Sequence, residues 1–79
     1  MTLDSFAPEQ AARILAVDWT RLAEDEAKRL KALGIDAGAE VAVVHRGIFG
    51  TRDPLAIRIG RMTVALRRSH ALAIEVEPA

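Results

Sequence analysis

The residues that could support catalysis or metal binding are few and far apart. The chain has no cysteine, and its two histidines, His45 and His70, lie 25 positions apart. Neither histidine has another imidazole or a carboxylate three or four positions away. Transition metals in proteins need several such ligands close together. We therefore expect no metal site and no bound cofactor.

The sequence also offers no convincing nucleophile. Ser69 precedes His70, but adjacent residues rarely turn their side chains towards each other, so the pair does not resemble a serine and its general base. The glycine-bounded segment 47–50 lacks the Gly-Lys-Ser/Thr ending of a phosphate-binding loop. The consecutive acids at 24–26 are interpreted as a solvated helix start, where the helix dipole favours negative charge. These observations predict a protein that is not an enzyme.

Two features remain as candidate contact surfaces. The first is the apolar pair Ile48 and Phe49, which lies between Gly47 and Gly50 in a predicted loop. Apolar residues at a loop tip either fold back over the core or face a partner. The sequence leaves both interpretations open.

The second feature is a set of arginines in the second half of the chain. Arg58 and Arg67 are predicted on the wetter faces of neighbouring strands, where they could form one patch. Such a set is either an ordinary charged surface that protects a sheet edge or a patch that binds an acidic protein surface. The candidate partner-binding residues are Ile48, Phe49, Arg46, Arg52, Arg58 and Arg67.

Composition narrows the class of protein. The chain has 79 residues, so we expect a single domain spanning residues 1–79. Hydrophobic residues make up 51% of it, but Phe6, Trp19 and Phe49 are the only aromatics. It contains no run of about 20 apolar residues, no signal-peptide pattern and no cysteine, which favours the cytoplasm. A formal net charge of zero argues against a nucleic-acid-binding protein.

The clearest predicted element is a helix over residues 21–33. Its apolar positions Leu22, Ala27, Leu30 and Leu33 fall on one face. Thr20 is predicted to cap its first turn. Gly34 follows at the position where a left-handed conformation ends many helices.

Period-two alternation predicts five strands around this helix. The predicted strands cover residues 11–19, 39–46, 55–59, 62–67 and 72–77. A polar lead-in at 1–10 and a short turn at 68–70 complete the chain. Five short strands in so few residues favour a small, strongly bent barrel, because such a barrel buries one face of every strand. The predicted fold is mainly β, with the helix between the first and second strands.

The order of these elements resembles the FeoA family of ferrous-iron-transport accessory proteins. The helix end 29–35, then Gly38 and the strand 41–44, are similar to the family's helix-turn-strand signature. The run 53–55, the strands around Arg58 and Val64, and then Ala71 and Ile74 continue the similarity. The resemblance spans roughly residues 8–77. Three departures are Ala37 where the family often has proline, Thr51-Arg52 inserted before Asp53, and Glu9-Gln10 where a glycine usually precedes the first strand.

The resemblance implies an SH3-like barrel and a small cytosolic protein. It implies a role in assisting or regulating FeoB, a membrane transporter with a cytosolic GTPase domain, through protein–protein docking. The family is connected with transition metals, but iron need not touch a chain without clustered ligands. Two alternatives stay open, namely a small nucleic-acid-binding barrel and a relative of the SH3-like C-terminal domain of iron-dependent repressors.

Overall fold

The computed structural model describes residues 1–46 and 54–79, with the backbone alone at residues 45 and 46. Within these residues there are two helices, α1 (Glu24–Ala32) and α2 (Arg68–Ala71), and two 3₁₀ turns (Leu3–Ser5 and Trp19–Arg21). The five strands are β1 (Ala11–Val17), β2 (Glu40–Arg46), β3 (Leu55–Ile59), β4 (Met62–Leu66) and β5 (Ile74–Pro78).

The strands form one antiparallel sheet in the order β4-β3-β2-β1-β5. The segment from β2 to β4 is a simple meander, whereas β5 returns to pair with β1. The first strand therefore has two neighbours, and Ala12 lies opposite Pro78 on one side and Val41 on the other. The prediction of a mainly β fold with a helix between the first two strands is confirmed. Both outer strands, β4 and β5, have one side that no other strand of the described chain pairs with.

The core consists of alternate residues of the strands, as their period of two predicts. It is aliphatic apart from one phenylalanine, and none of its buried members in the described chain is polar. Register shifts between Ile14 and Ala16 in β1 and between Val43 and His45 in β2 mark bulges, which bend a sheet and add twist. The buried strand residues are Ala12, Ile14, Val41, Val43, Leu55, Ile57, Leu66, Ile74 and Val76.

The predicted start of the helix was wrong. Thr20 does not cap α1, which begins at Glu24 after Ala23, a residue that makes no side-chain cap. Instead Asp18 accepts hydrogen bonds from both the amide and the hydroxyl of Thr20 and caps a 3₁₀ turn. A short acidic side chain that accepts from the amide two residues later favours a local turn, so the chain turns once before the helix begins.

The N-terminal residues are part of the core and not a polar lead-in. Leu3 and Phe6 are each 1% exposed, and they belong to the same cluster as the strand residues. The Leu3–Ser5 turn lies beside β5, where the amide of Val76 donates to the carbonyl of Met1 over 2.8 Å. Leu3 and Phe6 are isolated apolar residues that belong to no repeating pattern, so the sequence pattern could not identify them as core residues.

The end of the chain also differs from the prediction. The predicted turn at 68–70 is the single helical turn α2, which continues to Ala71. The last strand consequently begins at Ile74 and not at Leu72, which is 40% exposed. Ala71 and Ala73 are buried, because the small side chains let this turn approach the sheet closely.

The end of α1 was predicted correctly. Gly34 has a φ of 91°, its amide donates to the carbonyl of Lys31, and the amide of Ile35 donates to the carbonyl of Leu30. These two bonds define a Schellman motif. Leu30 and Ile35, 0% and 1% exposed, supply the apolar contact that usually accompanies it.

Replacing Gly34 with valine is expected to destabilise the protein by about 1–3 kcal/mol, since a β-branched residue is strained at positive φ. A Cβ at this position would lie 3.6 Å from the Ile59 Cδ1 atom, an ordinary contact, so the cost comes from the backbone. Chemical denaturation measures it. Gly34→Asn is the matched control and should cost less, because asparagine tolerates this conformation. Equal losses in the two variants would contradict the explanation.

Candidate binding surface

A charged cleft of about 240 Å³ lies between α1, α2 and the outer strand β4. We call it the α1–β4 cleft. It combines two arginines, one glutamate and one histidine with two small apolar residues. Its lining residues are Glu26, Arg29, Pro54, Ala65, Arg67 and His70.

Arg29 organises this cleft. Its guanidinium lies 2.6 Å from the Glu26 carboxylate, one turn earlier on the helix, and also donates to the carbonyl of Ala65 over 3.4 Å. The arginine therefore ties the helix to the outer edge of β4. A Glu–Arg pair three residues apart is visible in the sequence, but its link to a strand 36 positions later is not.

His70 contributes a polar atom that has no hydrogen-bond partner in the described chain. Its Nδ1 atom is buried and lies 3.9 Å from the Glu26 carboxylate, beyond hydrogen-bonding distance. No group of three or more His, Asp or Glu residues in the described ranges could hold a metal ion. Within the cleft, the Glu26 carboxylate already pairs with Arg29.

The structure places the two described arginine candidates in different clefts. Arg67 lines the α1–β4 cleft, whereas Arg58 pairs with Glu9 over 2.9 Å and lines a second cleft beside β2. Arg58 lies opposite Thr63, whereas Arg67 follows the end of β4, four residues after Thr63. Ile48, Phe49 and Arg52 lie outside the described residues, and Arg46 is described by its backbone alone.

Glu9 has a conformation that glutamate rarely adopts. Its φ is 68°, and it is the one non-glycine residue with a positive φ in the described chain. Its amide donates to the carbonyl of Val43 over 2.6 Å, and its carboxylate pairs with Arg58, so both ends of the residue are held. Glu9 lies where the sequence lacks the glycine expected before the first strand. That missing glycine was the available sequence signal for an unusual backbone conformation at this position.

Glu9→Gly is expected to be more stable than Glu9→Ala by about 1 kcal/mol, because alanine keeps the steric cost of a left-handed backbone and glycine does not. Both variants lose the Arg58 ion pair, so the comparison isolates the backbone. A difference of this size corresponds to roughly 4–8 °C in melting temperature for a small domain. Coincident melting curves would show that Glu9 is not strained.

No helix in the described ranges is long and apolar enough to span a bilayer.

Solved structures of known proteins share this fold. FeoA from Stenotrophomonas maltophilia, a zinc complex described as an SH3 domain protein, is 32% identical with a TM-score of 0.80 over 98% of this chain and 89% of that one. FeoA from Chlorobium tepidum is 26% identical with a TM-score of 0.83, over 99% of this chain and 70% of that one. The SH3-like fold is thereby confirmed.

Other matches differ in length from this chain. Iron(II) transport protein A from Clostridium thermocellum is 29% identical with a TM-score of 0.81, and the match covers 99% of this chain but 45% of that protein. The manganese regulator SloR, at 14% identity and a TM-score of 0.77, shares the fold over 34% of its length. No curated protein matches the sequence.

The chain combines this strand order with a helix between β1 and β2 and a Schellman turn. Its sequence also matches a family model. The model of the FeoA domain matches residues 1–78, almost the whole chain. The protein therefore belongs to the FeoA family.

Proposed function

We propose that this protein is a non-enzymatic, cytosolic accessory or regulatory module of ferrous iron uptake that docks on the cytosolic part of a FeoB-type membrane transporter. The observation that carries the proposal is the match of the FeoA domain model over residues 1–78. The Stenotrophomonas relative, described as possibly acting as a ferrous iron transport activating factor, supports the same role.

The side-chain chemistry of the described surface favours docking over catalysis. Charges are paired across open clefts, as Arg29 is with Glu26 and Arg58 with Glu9, and no described cluster could hold a metal. Exposed ion pairs contribute little to stability, so they can be exchanged for intermolecular pairs at low cost. A surface of this kind suits a partner that is itself charged.

The proposed contact residues are the apolar loop pair and the neighbouring arginines. Arg67 and Pro54 line the α1–β4 cleft, and Pro54 directly follows the segment that contains Ile48 and Phe49. An apolar anchor beside cations is a common composition for a protein interface. The complete proposed set is Ile48, Phe49, Arg46, Arg52, Arg58 and Arg67.

The test is a calorimetric titration of the purified protein with the cytosolic GTPase domain of the FeoB from the same organism, with nucleotide and salt varied. We expect saturable binding that Phe49→Ala weakens about tenfold or more, as for an interface hot spot. Lys28→Ala is the matched control, since the Lys28 side chain is 78% exposed on α1 and lies outside the proposed set.

Three outcomes are informative. If Phe49→Ala lowers the melting temperature and leaves binding intact, then Phe49 covers the core and the contact lies elsewhere. If arginine variants alone weaken binding, and do so most at low salt, the interface is mainly electrostatic. If neither the GTPase domain nor the full-length transporter binds, the proposed function is wrong.

A further inference from the structure

No strand of the described residues pairs with the outer side of β4, which we call the open edge of β4. Ile59 and Met62 pair across the two-residue turn Gly60-Arg61, and Gly60 has a φ of 59°, as the first central residue of a type II′ hairpin turn requires. In an antiparallel hairpin, hydrogen-bonded pairs alternate with pairs that are not hydrogen-bonded. Because Ile59 and Met62 form a hydrogen-bonded pair, Thr63 and Ala65 direct their amides and carbonyls away from β3.

One hydrogen bond confirms this direction. The carbonyl of Ala65 accepts from the Arg29 guanidinium, which approaches β4 from outside the sheet. The amides of Thr63 and Ala65 and the carbonyl of Thr63 have no partner in the described ranges. Thr63 and Ala65 are both exposed, so an incoming strand could reach three ladder groups.

The opposite edge of the sheet is closed by the protein itself. The amide of Val76 donates to the carbonyl of Met1, and Thr2 forms a bridge with Glu75. The strand then ends in Pro78, which has no amide hydrogen to donate. A second copy of the chain therefore cannot extend the sheet through β5.

Charge disfavours the antiparallel pairing of two β4 strands in one register. In an antiparallel register centred on Val64, Thr63 of one copy would pair with Ala65 of the other, and Arg61 would lie opposite Arg67. Like charges directly opposite each other destabilise a sheet. Neither arginine forms an ion pair with a described residue that could neutralise it.

We infer that the open edge of β4 binds an extended, acidic peptide segment of a partner protein as an added strand. Arg61 and Arg67 flank the edge, about 20 Å apart at the usual rise per residue, and Arg29 lies beside Ala65. A strand of about seven residues with an acid near each end would pair with Thr63 and Ala65 and reach both outer arginines. This inference rests on the proposed function, because it describes how docking would occur.

The experiment uses a nine-residue synthetic peptide with two glutamates at each end and alternating valine and threonine between them. Titrated into the ¹⁵N-labelled protein, it should shift amide signals of residues 61–67 and slow hydrogen exchange at Thr63 and Ala65 by about tenfold or more at saturation. The same peptide N-methylated on alternate residues of its pairing side, or with lysines in place of glutamates, should lose most of this effect.

Substitutions test separately how the backbone hydrogen bonds and the arginine charges of β4 contribute to peptide binding. Ala65→Pro removes an outward amide, a change that edge strands tolerate, and it should weaken peptide binding, with its melting curve reporting any loss of fold. Arg61→Gln with Arg67→Gln should reduce both affinity and salt dependence, whereas Arg13→Gln, on β1, should not. Equal binding of the lysine peptide, shifts away from β4, or a dimer joined through β4 would overturn the inference.

The transporter titration distinguishes the two proposals. Wild-type binding to the transporter that Ala65→Pro and the double arginine variant leave unchanged would overturn the edge inference and remove Arg67 from the proposed contact residues, while docking on the transporter would stand. Binding of the acidic peptide at β4 without any binding to the transporter would leave the edge inference standing and remove the proposed function.

Discussion

Phe6→Ala should lower the free energy of unfolding by about 3–5 kcal/mol, the usual cost of truncating a buried phenylalanine. Phe6 is 1% exposed and is the largest fully buried side chain in the described ranges. It lies at the end of the Leu3–Ser5 turn, where its amide donates to the carbonyl of Leu3. The cavity left by the ring would open beneath the N-terminal segment, where Leu3 is the other buried side chain.

This loss is large relative to the whole, because a chain of this length is expected to have about 4–12 kcal/mol of stability. Urea denaturation followed by circular dichroism measures it. Phe6→Leu is the conservative comparison and should retain most of the stability, and Pro8→Ala, at a nearby exposed position, should change little. A loss below about 1 kcal/mol in Phe6→Ala would mean that the N-terminal segment does not pack on the sheet in solution.

Leu30→Ala should cost about 2–5 kcal/mol. Leu30 is the one residue of α1 that is fully buried, at 0% exposed, and its carbonyl accepts the amide of Ile35 in the helix-ending turn. The helix is only nine residues long and would not be stable alone. Its other contacts with the body include Ala27, which packs against the core, the Arg29 link to Ala65, and the Lys31 ammonium, 4.6 Å from the Trp19 ring centroid.

Because α1 is anchored through Leu30, we expect Leu30→Ala to lose helical signal as well as stability. Far-ultraviolet circular dichroism and denaturation, recorded on the same samples, test it. Lys28→Ala, on the exposed side of the same helix, should be within about 0.5 kcal/mol of the wild type. If Leu30→Ala and Lys28→Ala were equally stable, the helix would not be anchored through its buried face.

The sequence predicted the elements with a clear period and missed those without one. Strands β2 to β4 were predicted within a residue because apolar and polar positions alternate, and the helix end was predicted because Gly34 has a specific steric role. Phe6 escaped prediction because a single apolar residue has no period. Thr20 was assigned the wrong role because its amide and its hydroxyl both donate to Asp18, and propensity alone does not decide between two nearby caps.

The candidate surface was less predictable than the fold. Period predicts Arg58 and Arg67 on the wetter faces of neighbouring strands, but it does not say that they line different clefts or that Glu9 pairs with Arg58. The contact between Arg29 and the carbonyl of Ala65 joins residues distant in sequence, and the open edge of β4 depends on which main-chain groups face outward. These properties arise from register and packing, which a one-dimensional pattern does not contain.

The pairing of β5 with β1 also constrains when the protein can fold during synthesis. Ala12 pairs with Pro78, so nearly the whole chain must leave the ribosome before the first strand can gain its second neighbour. Contacts between the ends of a chain are slow to form, because a long loop must close first. The meander from β2 to β4 can assemble earlier from local contacts. Phe6 and Leu3, in contrast, cannot be fully buried until the residues of β5 are present. The nascent chain should therefore become resistant to protease only after the residues of β5 have emerged.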